Sequence, residues 1–253
     1  MTLASIGRAF HPNKVVSPGA LRLIVVVQVL ALLAFWLLSP FKVLPTPGQV
    51  AQALGDLWQR EGLAQELTTS FLLNAEALVV TTLLSLGLAY LTVLPFFRPI
   101  VAAVSKMRFL SLVGFTLVFT LVLGGGRPLK LALLVFGMSV FFVTSMASVV
   151  DEIPRAKYDY AQTLRMPPWR VVWEVVVLGT ADQALEVMRQ NAAMGWLMLT
   201  LVEGMVRSEG GVGTMLLAYQ KHFQLPSVFA LQLVILAVGL MQDFLIGLFR
   251  GIV

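Results

Sequence analysis

The chain is built from apolar runs about twenty residues long that carry almost no charge. A helix of roughly 20 mostly apolar residues crosses the ~30 Å hydrocarbon core of a bilayer. Six stretches meet or approach that length: about 20–38, 68–94, 99–123, 129–150, 186–206 and 227–249. The runs are continuous and rich in Leu, Val and Ala. They lack the short apolar-polar alternation of a membrane β-barrel. Of the two architectures that satisfy every backbone polar group inside lipid, the helical one is expected. With 58% hydrophobic and 12% charged residues, against about 25% charged in soluble domains, a water-soluble fold would leave a large apolar surface exposed. The expected fold is therefore all-α and polytopic, a single transmembrane domain over residues 1–253 with about six spans.

Charge sets the expected orientation. With a cytoplasmic N-terminus, the inside segments hold Arg8, Lys14, Arg22, Arg98, Lys106, Arg108, Arg155, Lys157, Arg165, Arg170, Arg189 and Arg250. The outside segments hold Lys42, Arg60, Arg127, Lys130, Arg207 and Lys221. Twelve against six is the sense of the positive-inside rule, and it places both termini in the cytoplasm. The net charge of +5 reads as anchoring against one membrane face, with no nucleic-acid partner. The first apolar run follows Arg8, Lys14 and Arg22 as in a signal peptide, but Ser39-Pro40-Phe41-Lys42 follows it in place of a small-residue cleavage pattern, so a retained helix is expected. There is no cysteine to form a disulfide, a zinc thiolate or a nucleophile, and His11 and His222 have no ligand-like spacing.

Two stretches outside the spans are more than links. In 46–62, Pro45-Thr46-Pro47-Gly48 starts a helix, and Val50, Ala53, Leu54 and Leu57 recur at helical spacing. An amphipathic helix lying on the outer membrane surface is expected there. The 151–183 stretch is the long cytoplasmic loop. Pro154 suits a first helical turn, and Pro167-Pro168 ends the helix it starts. A helix over 155–165 is too short to persist alone in water. Tyr160, Ala161 and Leu164 give it one apolar face, which Trp169, Trp173 and Val176 continue. Such a face either inserts into a partner's groove or packs on the chain's own membrane helices.

The same residues resemble the inner-membrane permease subunits of binding-protein-dependent ABC importers, of the nitrate/sulfonate/taurine group. Asp159-Tyr160-Ala161-Gln162-Thr163-Leu164-Arg165, then Trp169-Arg170 and Val175-Val176-Val177-Leu178-Gly179, fall in the register of that family's cytoplasmic Glu-Ala-Ala loop. Val43-Leu44-Pro45-Thr46-Pro47-Gly48-Gln49-Val50 is similar to the stretch after the family's first helix. Ser208-Glu209-Gly210-Gly211-Val212-Gly213 is similar to the turn after its fifth, and Val228-Phe229-Ala230 to the start of its sixth. The resemblance spans about 40–250. Arg165 stands in place of the family's glycine, Gly179 of its proline, Asp159 of its glutamate and Tyr160 of an alanine. A positive φ is costly for arginine, so the helix is expected to run on to Pro167.

The resemblance implies a type I ABC importer permease fold. The chain would pair with a second permease subunit, the same or homologous, and meet a soluble or lipid-anchored binding protein outside. Asp159, Tyr160, Ala161, Thr163, Leu164, Arg165 and Trp169 would engage separate ATPase subunits holding ATP and magnesium. The chain has no Walker-type motif, so no enzymatic activity and no cofactor of its own is expected, and Gly124-Gly125-Gly126-Arg127 reads as a turn. The cargo implied is a small anion such as nitrate, bicarbonate or an organosulfonate. Polar residues within apolar spans are costly and default to functional candidates: Asn74, Glu76, Glu203 and Asp243, with Gln190 and Asn191. Shallow placement of Glu76, and exposure of Glu203 and Asp243 at the interface, are the alternatives. Glu203, Glu76 and Asn74 are the candidates for the path; the resemblance favours Glu203 among them and puts the third and fifth helices at the path, where Phe115, Phe119, Met194 and Met198 would form an apolar gate. Ordinary helix packing also produces such a Met-aromatic stripe. Gly87, Gly114, Gly137 and Gly195 are expected to permit close helix approach. A non-transporting membrane scaffold or sensor is the alternative function, with Arg165 and Gly179 in its favour; a stand-alone carrier would need more spans or visible repeats.

Overall fold

The computed structural model describes residues 17–38 and 43–250, with the side chains of Phe249 and Arg250 excepted. Arg8, Lys14, His11 and Lys42, used above for orientation and metal binding, lie outside the described residues, as does the 39–42 stretch. The described residues form helices α1 (Pro18–Leu37), α2 (Pro47–Arg60), α3 (Leu63–Tyr90), α4 (Arg98–Lys106), α5 (Leu112–Leu123), α6 (Arg127–Asp151), α7 (Arg155–Thr163), α8 (Pro168–Val171), α9 (Ala181–Met205), α10 (Val212–Lys221) and α11 (Leu225–Arg250). Among them there is no strand.

Four helical stretches are long and apolar enough to cross a membrane: Pro18–Leu37, Leu63–Val93, Arg127–Asp151 and Leu225–Leu248. The expected third span is not one straight helix. Arg98–Phe109 and Leu112–Leu123 meet at 112°, so the count rises to five only if that bent pair crosses as one. Leu110 and Ser111 are extended between them, just after the Lys106-Met107-Arg108 interruption of the apolar run. The 12 residues of α5 reach only ~18 Å at ~1.5 Å per residue, short of the ~30 Å hydrocarbon core. The expected fifth span exists as a helix, α9, but its Asp182, Glu186, Arg189 and Glu203 keep it out of the strongly apolar set.

Helices α3, α6 and α9 pack together around Leu73, Ala77, Leu133, Met138, Ala192 and Leu199. Two glycines set their spacing. A Cβ on Gly195 would lie 2.5 Å from Asn74 Oδ1 and 3.1 Å from Met138 Cε. One on Gly137 would lie 2.8 Å from Met198 Sδ. Gly87 and Gly114, expected to act the same way, have nothing within 4 Å of such a Cβ and do not mediate contact within the chain.

Helix α2 starts as read from the sequence. The Gln49 side chain accepts from the Thr46 N–H at 2.9 Å, Thr46 Oγ1 accepts from the Gln49 N–H at 3.4 Å, and Pro47 occupies the first turn. Its apolar face does not lie on lipid, however. Val50 and Leu57 are buried in protein, against Leu63, Val212, Ala230 and Leu231. The face that would have entered the bilayer surface is covered by α11 and the start of α3.

Replacing Gly195 by Ala is expected to destabilise the detergent-solubilised protein by about 1–3 kcal/mol through overpacking. Replacing Gly87 by Ala is expected to be neutral, or stabilising by up to about 1 kcal/mol. Thermal unfolding of the two variants side by side checks the contrast.

Candidate functional site

The 151–183 loop folds as a short arm. Its first helix, α7, stops at Thr163 and does not run to Pro167. The Arg165 N–H donates to the Gln162 carbonyl at 2.9 Å and the Met166 N–H to the Ala161 carbonyl at 3.3 Å, the pair of bonds of a Schellman stop. That stop needs a left-handed residue, and Arg165 supplies it at φ 55°. The arginine takes the conformation expected only of glycine because the closing bonds and Pro167 leave the chain no other exit.

Beyond the turn, helical backbone continues from α8 into α9, but not as regular α-helix. Val172–Val177 has the wider π spacing and Leu178–Thr180 the tighter 3-10 spacing. Such irregular turns within a helix mark hinges or strain. The Thr180 hydroxyl caps the irregular stretch by donating to the Val176 carbonyl at 2.7 Å.

The apolar face on this arm differs from the one expected. Ala161 and Val176 are buried and point into the chain. Tyr160, Leu164, Trp169 and Trp173 are 67%, 52%, 72% and 58% exposed. Tyr160, Ala161 and Leu164 line one side of a groove of about 470 Å³, with Val175 and Gly179 opposite. Asp159, Thr163 and Arg165 are exposed, the Thr163 hydroxyl being tied to the Tyr160 carbonyl at 2.6 Å. On the other face of α7, Tyr158 is half-buried in a cleft lined also by Thr92, Arg98, Val150 and Asp151. Its burial, reinforced by the Asp151 carboxylate and opposed by Arg98, keeps its phenol above the ordinary pKa.

The residues expected along a path fall in separate places. Glu203 is fully buried, but as a clamp on the 208–213 turn. Its carboxylate accepts from the Gly213 N–H at 2.8 Å and the Ser70 hydroxyl at 2.7 Å, and Ser70 Oγ accepts from the Val212 N–H at 2.9 Å. Glu66 accepts from the Gly211 N–H, and Lys130 Nζ donates to the Gly210 carbonyl at 2.8 Å. A Cβ on Gly211, which has φ 107°, would collide with the Glu203 carboxylate. Lys130, counted above as an interfacial charge, is only 2% exposed.

Glu76 is half-exposed and pairs with Arg127 at 2.5 Å. Asn74 is buried and donates to Gln242 Oε1 at 3.1 Å, which also accepts from Trp196 Nε1 at 2.6 Å, joining α3, α9 and α11. Phe115 and Phe119 pack on Phe136 of α6, with ring centroids 5.0 and 5.7 Å away. Met198 fills the space beside Gly137, while Met194 stands on an exposed face next to Asn191. Asp243 pairs with Arg189 at 3.0 Å. The glycines of 124–126 form a turn, with Gly124 and Gly126 at positive φ. Ser70, Lys130 and Gln242 were missed as partners. Ser70 follows Thr68-Thr69, Gln242 precedes Asp243 and Lys130 lies three residues after Arg127, so nothing local pairs them with groups far along the chain.

Two substitutions test these assignments. Glu203→Leu leaves the Gly213 N–H without an acceptor and is expected to cost about 1–3 kcal/mol in thermal unfolding, with Glu203→Gln milder because the amide oxygen still accepts. Arg165→Gly removes the cost of the left-handed arginine and is expected to stabilise the arm by up to about 1 kcal/mol, seen as slower amide exchange at 161–166. Compared with known proteins, the chain matches no family model and no curated protein.

Proposed function

We propose that the chain is the permease subunit of an ABC importer of the nitrate/sulfonate/taurine type, providing the membrane path for a small solute and linked to separate ATPase subunits through α7. On this reading it lies in a bacterial inner membrane with both termini cytoplasmic, α9 and the bent α4–α5 pair completing six passes. It pairs with a second permease subunit and receives solute from a binding protein. ATP and magnesium belong to the partner ATPase.

One observation carries the reading. Four large apolar side chains, Tyr160, Leu164, Trp169 and Trp173, stand exposed on the one long loop that also bears Arg155, Lys157, Arg165 and Arg170. Isolated exposed apolar residues are ordinary, but four on one short arm, two of them (Tyr160 and Leu164) lining its groove, mark an interaction surface. The irregular stretch 172–180 joins that surface directly to α9 at the centre of the bundle, so force applied to the arm has a helical route inward. The scaffold-or-sensor reading rested on Arg165 and Gly179. Arg165 takes the backbone conformation of the glycine it replaces, which leaves Gly179 alone in support of that reading.

Because Leu164 and Trp169 are exposed, Leu164→Asp with Trp169→Asp is expected to leave the bundle folded while the ATPase is lost on purification. Retention of the ATPase at the unmodified level would show that α7 is not the attachment point.

A further inference from the structure

Hydrogen-bonding side chains in hydrocarbon are normally satisfied within the chain or face water. Asn191 of α9 is neither satisfied nor exposed: it is 3% accessible, and both its amide nitrogen and its amide oxygen are buried without a hydrogen-bond partner. It lines a pocket of about 150 Å³ between α6 and α9. Phe141, Phe142 and Met194 form apolar walls, and Ser145 and Gln190 stand exposed at the rim. At about 30 Å³ per water, the space matches roughly five waters or one small solute. None of the lining side chains carries a charge. On α9, Arg189 is already taken up by two carboxylates, Glu186 at 3.7 Å and Asp243 of α11 at 3.0 Å, so that cluster offers an anion no free positive charge.

We propose that this pocket is a solute subsite that reads a neutral group carrying a donor and an acceptor side by side, such as the edge of a urea, a primary amide or a cyclic cis-amide. The inference rests on the transport reading above and narrows its cargo. An amide presents one donor and one acceptor in a plane. Its complement is a second group of the same kind, which satisfies both atoms at once. An anion would satisfy only the N–H side, leave the Asn191 oxygen facing negative charge, and lose its hydration to an uncharged, aromatic-walled cavity, a far larger cost than burying a paired neutral amide. The anionic cargo implied by the family resemblance therefore does not suit this wall of the path.

The absence of cysteine allows a direct test. Ser145→Cys in the full-length chain places a single thiol at the rim. In proteoliposomes it is expected to react with a charged, membrane-impermeant methanethiosulfonate. Urea and acetamide are expected to slow labelling several-fold, and nitrate, bicarbonate and methanesulfonate to leave it unchanged. Adding Asn191→Leu is expected to abolish the protection while labelling continues. Protection by the anions, protection by none of the solutes, or a thiol inert to the charged reagent would each overturn the proposal. The ATPase-retention experiment judges the transport reading separately. A chain that releases its ATPase on α7 substitution yet is protected only by anions sinks the subsite alone.

Discussion

Hydrocarbon offers no hydrogen-bond partner, so a polar group carried into this bundle is costly unless another part of the chain meets it. That requirement, more than apolar packing, ties the helices to one another. Between α3, α9 and α11 the meeting point is Gln242, whose single oxygen takes a hydrogen bond from Asn74 and another from Trp196. At the α2 end of the bundle it is the glycine turn. Its N–H groups are taken up by Glu66, Ser70 and Glu203, and one of its carbonyls by Lys130. Turn backbone buried without these partners would be prohibitively costly. The carboxylates and the lysine are therefore as much a condition of the fold as the leucines around them.

The same requirement explains how α9 can be central while being the least apolar of the long helices. Its polar residues are distributed by partner: Glu203 to the glycine turn, Arg189 to Asp243 and Glu186. Asn191 is the exception, buried with neither amide atom paired. A buried amide left unsatisfied at such cost calls for an explanation, and a bound solute would supply one.

Much of the architecture was legible because it follows from local rules. The helix entry at Pro45-Thr46-Pro47-Gly48, the helix start after Pro154 and the long apolar helices all depend on residues close in sequence. What escaped depends on distant contacts. Lys130 reads as an interfacial charge because nothing nearby says that the Gly210 carbonyl, eighty residues on, will accept from it. The amphipathic pattern of α2 reveals an apolar face but cannot distinguish lipid from α11 as its cover. The 112° bend after Phe109 hides in a run whose composition suits a straight span, with only the Lys106–Arg108 interruption to mark it. Arg165 shows the opposite error. The propensity argument was sound in sign, but a closed set of bonds imposed the left-handed backbone on a residue that disfavours it.

On the proposed reading, the two ends of α9 have different mechanical roles. At the end next to the arm, π and 3-10 turns interrupt the regular ladder of hydrogen bonds, and bending is least costly there. At the other end, Glu203 and Thr214 lock the helix to the turn that leads into α10, Thr214 Oγ1 donating to the Glu203 carbonyl at 2.8 Å. A helix soft at its driven end and fixed at its far end acts as a lever. Its 25 residues span ~37 Å, so a tilt of about 5° would carry the far end about 3 Å. Glu66 and Ser70 of α3 hold the same turn, so the displacement would be passed to α3 and α10. The Asn191 pocket lies between hinge and lock, against α6, where a tilt of α9 changes the width of the wall that a solute would meet.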